Sequence, residues 1–293
     1  VKVLVIYEPN LPGRLLIERL RQTSLEVSPL LISRPDGVDP AQVGDWLTPD
    51  IDFVVNLLTL DDPREAEKQP EQARHLLVDL PGAIATAAAA RNIGVLQLSN
   101  HYVFDGRKQS AYLASNPACP MGALGKLLWE AEQQLRTELP RHIILRTGWS
   151  LRRFCDLVLG YQGSQEPLYM SSRYRGQPVT AADLARVITA ILQQIDCGAE
   201  VWGTYQYTGL EETTLYDMGL SIVNELGAKK APHLVDDVDQ WMAMEPLNAT
   251  LNCKKIRNTF GIKPQSWQEA LPTELAQLHD QDEIAARREP AGS

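Results

Sequence analysis

Short β-branched runs alternate with longer stretches of helical periodicity through the first half of this chain, and that alternation narrows its folding options most. Residues 2–6 (KVLVI) read as a strand, 13–22 as a helix, 25–33 as a second strand and 51–57 (IDFVVNL) as a third, buried strand. Helical periodicity then covers 71–92, including the alanine-rich stretch 83–90, before a strand at 94–98. Strands separated by helices do not pair as hairpins. Crossovers of that length join parallel strands and lay helices on both faces of a sheet.

The pattern continues with a helix over 122–137, where Leu124, Leu127, Leu128 and Ala131 share one side, and a strand over 141–147. Beyond Leu151 it loosens. The polar stretch 162–175 is expected to be an exposed loop over a cleft. A helix over 180–195 opens on Thr180 as its cap, and a strand at 202–207, a helix at 215–226 and a polar tail expected to fray complete the chain. The expected fold is α/β: a Rossmann-like doubly wound parallel sheet over 1–150, with a smaller C-terminal α/β substrate-binding lobe over 151–279. The lobe is partly interleaved with the first domain, and 280–293 form the tail.

At 293 residues the chain is long enough for two packed lobes, and 44% hydrophobic with 22% charged residues fits a globular core. No apolar run approaches the roughly 18 to 20 residues needed to span a bilayer. The opening VKVLVIYEPN goes directly into a strand pattern rather than a signal-peptide core. The expectation is a cytoplasmic protein without membrane association. A net charge of −9 with scattered Lys and Arg disfavours nucleic acid as a partner. The cysteines (119, 155, 197, 253) form no CxxC pair and the histidines no HxxxH pair, so no metal is expected.

The segment Ser99-Asn100-His101-Tyr102-Val103-Phe104-Asp105-Gly106 resembles the S-T-D-Y-V-F-D-G signature of dTDP-4-dehydrorhamnose reductases. Arg146-Thr147-Gly148-Trp149 is similar to that family's L-R-T-S-W element, and Gly176-Gln177-Pro178-Val179-Thr180 with Asp183-Leu184-Ala185 to its G-x-P-T-x-x-D-L-A element. Pro246 to Leu251, Phe260-Gly261-Ile262 and Trp267 resemble its closing region. The matches are collinear from residue 1 to about 275. The same pattern extends to the regulatory beta subunit of methionine adenosyltransferase, which works by binding a partner enzyme. The resemblance implies NADP or NAD as cofactor, a nucleotide sugar as ligand, a protein as alternative partner, and a homodimer. It implies substrate contacts at Asn100, Tyr102, Phe104, Asp105, Arg146, Trp149 and Gln177, and cofactor contacts at Gly13, Arg14, Arg34 and Asn56.

The chemistry expected of that family is not spelled out in these residues. Its proton relay needs a tyrosine and a lysine four residues later, on one helix face, with a Ser or Thr to orient the substrate. In the pattern P-x-x-x-Y-G-x-x-K, Pro120 is followed by Leu124 at the tyrosine position and Leu128 at the lysine position. No tyrosine elsewhere has a lysine four residues on, and Asn100 stands where the family has Thr. Lys126 lies about 200° around a helix from Leu124 and points to another face. The cofactor loop departs as well. A G-x-x-G-x-x-G turn brings backbone N–H groups to a pyrophosphate, but here it reads Tyr7-Glu8-Pro9-Asn10-Leu11-Pro12-Gly13. Only Gly13 survives, two prolines remove donors, and Glu8 places a negative charge beside the anion.

Each candidate also has a plainer reading. Tyr102, Phe104 and Trp149 fit core packing as well as a cleft wall; Asp105 and Gly106 fit a turn; Asn100 fits a cap; Arg146 and Asp183 fit structural ion pairs. Leu124 and Leu128 fill space. The leading expectation is a catalytically degenerate relative of the reductases that binds a sugar nucleotide, another small ligand or a partner protein. An active NAD(P)H-dependent reductase and a regulatory subunit are the alternatives.

Overall fold

A computed structural model describes residues 1–228, 230–235 and 244–288. Six strands form one parallel sheet: β1 (Lys2–Tyr7), β2 (Glu26–Leu31), β3 (Phe53–Asn56), β4 (Gly94–Asn100), β5 (His142–Thr147) and β6 (Gly203–Tyr207), in the order β6-β5-β4-β3-β1-β2. Alternate residues of β1 feed separate cores. Val3 and Val5 pack with α1 (Leu11–Leu20) on one face, while Leu4 and Ile6 pack with α2 (Leu80–Ala89) and α3 (Ala123–Glu138) on the other. Both faces are covered, which is why the strands read as continuous apolar runs.

Helix α1 begins at Leu11, two residues earlier than its periodicity indicates, because Asn10 caps it and Pro12 suits the first turn. The helix expected over 71–92 is broken. A short helix Pro70–Arg74 passes through a wide π turn, His75–Asp79, before α2 resumes. Pro81, in the first turn of α2, has no N–H to offer the preceding turn, so the ladder widens there instead of running straight through.

A third core is built by α4 (Leu151–Gln162), α6 (Leu215–Glu225) and α7 (Trp267–Arg288) around Trp149, Phe154, Met218 and Trp267. The stretch 162–175 belongs to this core and is no lid: Leu168, Met170 and Tyr174 are buried, and Tyr169–Met170 pairs with His233–Leu234. Its apolar residues overrode its polar composition. Between α4 and α6 the chain returns to the sheet, contributing α5 (Ala181–Asp196), which packs against α1, and β6. Thr180 caps α5, accepting a hydrogen bond from Asp183 N–H at 3.1 Å. Of the tail expected to fray, 280–288 continue α7, and 289–293 lie outside the described residues. Among the described residues no helix is long and apolar enough to cross a membrane.

Candidate functional site

Strand order makes the crevice. β2 lies outside β1 while β3 lies inside it, so the chain leaves the carboxyl ends of β1 and β3 in opposite directions and leaves a gap between the connections. A cleft of about 630 Å³ occupies this position. Its walls are the loop 8–12 after β1, the segment 57–65 after β3, the end of β4 (98–102), the turn into α4 (147–153) and the start of α5.

The wall after β1 is closed on itself. Asn10 Oδ1 accepts the Gly13 N–H at 3.2 Å, and Asn10 N–H donates to the Glu8 carbonyl at 2.6 Å. Tyr7 lies so close over Gly13 that a Cβ there would meet its ring at 2.4 Å. The Asn10 and Gly13 N–H groups are therefore taken by the chain itself, and Pro9 and Pro12 have none to offer. Charge points the same way. Burial pushes the Glu8 carboxyl up to about 7, helped by the nearby Asp61 and Glu65 carboxylates. Asp61 is exposed overall, yet local desolvation raises its carboxyl too, against the pull of a Ser150 hydrogen bond and of Arg153. Glu8 on the loop after β1 and Asp61 and Glu65 on the segment after β3 raise one another's carboxyls, and a further negative charge beside them meets the same penalty, so this corner of the cleft does not fit the pyrophosphate of a nicotinamide dinucleotide.

The wall at the end of β4 is wired across the molecule. Asn100 Oδ1 accepts the Tyr102 N–H at 3.1 Å and starts the short turn His101–Val103. Tyr102 donates its hydroxyl to Glu245 Oε1. Arg153 Nη1 donates to the same carboxylate oxygen at 2.7 Å and to the Tyr102 oxygen at 2.9 Å, and its other nitrogen lies 3.7 Å from Asp62. His101 Nε2 lies 3.5 Å from Glu245 Oε2. Burial alone would push the Glu245 carboxyl up, but Arg153, His101 and Tyr102 together hold it down at about 2. Burial, reinforced by Glu245, drives the Tyr102 hydroxyl well above its ordinary range, so it is a poor proton donor at neutral pH. Among the described residues, His101 Nδ1 and Trp149 Nε1 are buried without a hydrogen-bond partner.

Of the residues singled out by sequence, the structure brings Asn100, Tyr102 and Trp149 to the cleft wall. The others lie elsewhere. Phe104 stacks on Tyr112 with ring centroids 4.3 Å apart, and Asp105 accepts the Tyr112 hydroxyl at 2.6 Å, fixing a loop outside the cleft. Arg146 is fully buried on Glu132 through bonds of 2.8 and 2.6 Å, with Ser99 on the same carboxylate at 2.7 Å. Gln177 accepts the Leu251 N–H at 3.2 Å. Asn56 is consumed by Gln97 and the Leu58 N–H, Arg34 is exposed past β2, and Arg14 lies beside Glu18 on α1. Gly13 sits beneath Tyr7, and Leu124 and Leu128 are buried in the core under α3.

Sequence reasoning passed over His101 and Arg153, which line the cleft, and the buried Glu245 that both of them meet. Only His101 left a local signal, standing where the signature S-T-D-Y-V-F-D-G has Asp.

A parallel sheet covered on both faces, with a crevice at the point where strand order reverses, defines a Rossmann-like α/β protein. The chain matches the family model described as RmlD substrate binding domain over residues 1–279 and belongs to that family. It is 30% identical over 273 residues to a dTDP-4-dehydrorhamnose reductase of Aggregatibacter actinomycetemcomitans, covering 88% of this chain and 92% of that protein. It is 27% identical over 210 residues to methionine adenosyltransferase 2 subunit beta of Pongo abelii, covering 68% of this chain and 62% of that one. Among solved structures, a dTDP-4-dehydrorhamnose reductase of Clostridium acetobutylicum shares the fold with a TM-score of 0.81 at 22% identity, covering 95% of this chain and 100% of that one.

Proposed function

We propose that this chain is a member of the reductase family that binds a nucleotide-sugar-type ligand in its cleft without reducing it. One observation carries the reading: the two positions where the family pattern has its catalytic tyrosine and lysine hold Leu124 and Leu128, which are 1% and 2% exposed and form part of the core. Neither side chain carries a proton or lines the cleft. The wall after β1 supports the same reading, since the Asn10 and Gly13 N–H groups are bonded within it, Pro9 and Pro12 have none, and its one charged group, Glu8, is acidic. For the alternative, an active reductase, a substitute proton donor is required, and Tyr102 is a phenol that lines the cleft. Its hydroxyl is committed to Glu245 and resists ionisation, which argues against that role.

Calorimetric titration tests the reading. Neither NADPH nor NADH is expected to bind, alone or with a dTDP-sugar present, while dTDP-glucose binds by itself. Clear micromolar binding of either dinucleotide overturns the reading and brings the reductase forward. Absence of binding by all three ligands leaves the partner-protein role that the methionine adenosyltransferase relative suggests.

A further inference from the structure

We propose that a second cavity, at the amino ends of β5 and β6, binds the phosphate groups of a small phosphorylated molecule. It shares no lining residue with the crevice at the carboxyl ends of the strands, and the inference stands whether or not the reading of that crevice holds.

The cavity has a volume of about 800 Å³. His142 and Thr204 line it from the starts of β5 and β6, Arg136 from α3, and Lys254, Lys255 and Asn258 from the short helix Lys254–Phe260. No carboxylate is among its lining residues, although the chain as a whole has a net charge of −9. Positive charge gathered in a hollow of an acidic protein raises the local concentration of a compact anion. A long polyanion gains nothing further outside the hollow from a chain of that net charge, which disfavours nucleic acid and favours a small ligand.

The cations are held in place, and their charge is not cancelled. Arg136 Nη2 donates to Glu132 Oε2 at 2.8 Å and to Thr204 Oγ1 at 2.9 Å. The same carboxylate already accepts two bonds from the buried Arg146, so one negative charge serves two guanidiniums and one positive charge is left over. Lys255 Nζ donates to the Thr204 carbonyl at 2.8 Å and lies 4.3 Å from the centre of the Tyr205 ring, which fixes the ammonium at the edge of β6. Burial pulls the Lys255 ammonium below its ordinary range, with no carboxylate opposing it. Burial also lowers His142, against its bond to the Leu139 carbonyl and with Arg136 and Lys255 adding to the effect. That bond uses His142 Nδ1, at 2.5 Å, and leaves Nε2 without a partner among the described residues.

Donors of this number and charge select the ligand. An ammonium has three N–H donors, and Lys255 uses one of them on Thr204. A phosphate group offers several acceptor oxygens and up to about two negative charges, so it can take donors from both lysines and the Asn258 amide together. A carboxylate, with two oxygens and one charge, leaves more of them unused.

Inorganic pyrophosphate is the probe, titrated by calorimetry at low ionic strength. One molecule is expected to bind per chain, and more weakly as salt is added. Lys254→Gln and Lys255→Gln are each expected to lose about fivefold in affinity, and the double variant more than about tenfold. Arg257→Gln removes a like charge from an exposed position on the same helix, outside the cavity, and is expected to change the affinity by less than about twofold. Absence of binding, or equal binding by the intact protein and the double lysine variant, overturns the proposal. So does an equal loss in Arg257→Gln, which would mark unspecific attraction to surface charge. A decapeptide of glutamate that binds more tightly than pyrophosphate would make the occupant an acidic protein segment and overturn the phosphate assignment.

Proton NMR of the intact protein needs no variant. Saturation with pyrophosphate is expected to move the ring signals of His142 and leave those of His101, which lines the other cleft, in place. An unmoved His142 sinks the assignment even where a lysine variant fails to fold.

Discussion

Two walls of the same cleft, the loop after β1 and the end of β4, are built on opposite principles. The wall after β1 consumes its own polar groups: Asn10 caps the helix that a phosphate would otherwise cap, and Tyr7 covers Gly13. The wall at the end of β4 pairs its polar groups with distant parts of the chain instead. Its carboxylate, guanidinium and phenol satisfy each other across segments 143 residues apart, and among the described residues His101 Nδ1 and Trp149 Nε1 are left unpaired beside them. One wall thus spends its polar groups within a single loop, and the other spends them on partners brought in by the tertiary fold. The position of a cleft is set by topology, while its chemistry is set by which polar atoms remain unspent.

The largest effect expected from breaking this contrast is on the β4 wall. Glu245→Ala would leave Arg153 buried opposite a hole and Tyr102 without an acceptor, at a cost of about 3–5 kcal/mol. Urea denaturation measures it; a loss under about 1 kcal/mol would mean that the cluster relaxes or hydrates freely.

Rebuilding the relay comes next. Leu124→Tyr with Leu128→Lys forces volume and a charge into the core under α3, costing about 2–4 kcal/mol in all. It is expected to yield no oxidation of NADPH at 340 nm with a dTDP-4-keto sugar. Turnover in that double variant would show that the wall after β1 opens to a dinucleotide.

The smallest effect is on the wall after β1 and reads as a pH dependence. The Glu8 carboxyl titrates near 7 in the folded protein against an ordinary 4.5, so the folded state holds its proton more tightly. Its contribution to stability is complete below pH 4.5 and is lost as pH rises through 7. Glu8→Gln, which cannot ionise, is therefore expected to be more stable than the intact protein at pH 8 by about 1 kcal/mol, discounted because the side chain is part-exposed. At pH 4.5 the two should melt together. Equal stability at pH 8 would show that Glu8 is fully solvated and that the wall repels a phosphate less than its charge suggests.

Much of the fold was legible from periodicity, because strands buried on both faces must be apolar throughout and their helices must carry one apolar side. Where that reading slipped, one or two residues decided: Pro81 widened the turn in a helix read as continuous, and Met170 and Tyr174 pulled a polar stretch into the third core. The site was less legible. The departures at Leu124, Leu128 and the loop 7–13 could be read directly, because a missing glycine or lysine is a local fact. The cluster around Glu245 could not, because Glu245 has no local pattern and reaches His101 and Tyr102 only through the closed tertiary fold. Arg146 shows the converse. Its place in a recognisable motif suggested a ligand contact, but the carboxylate it meets, Glu132, comes from α3 and makes it part of the interior.

The position of β6 carries a consequence for how the chain is made. The free edge of β5 is covered by residues 203–207, so the sheet cannot be completed until residue 207 has been synthesised. Until then a nascent chain presents an unpaired, apolar strand edge, the geometry that invites pairing with another chain. A fragment ending near residue 150 would keep that edge permanently and would also lack α5, the cover for α1. Such a fragment is expected to aggregate rather than fold, and the full chain to gain its resistance to aggregation late and in one step.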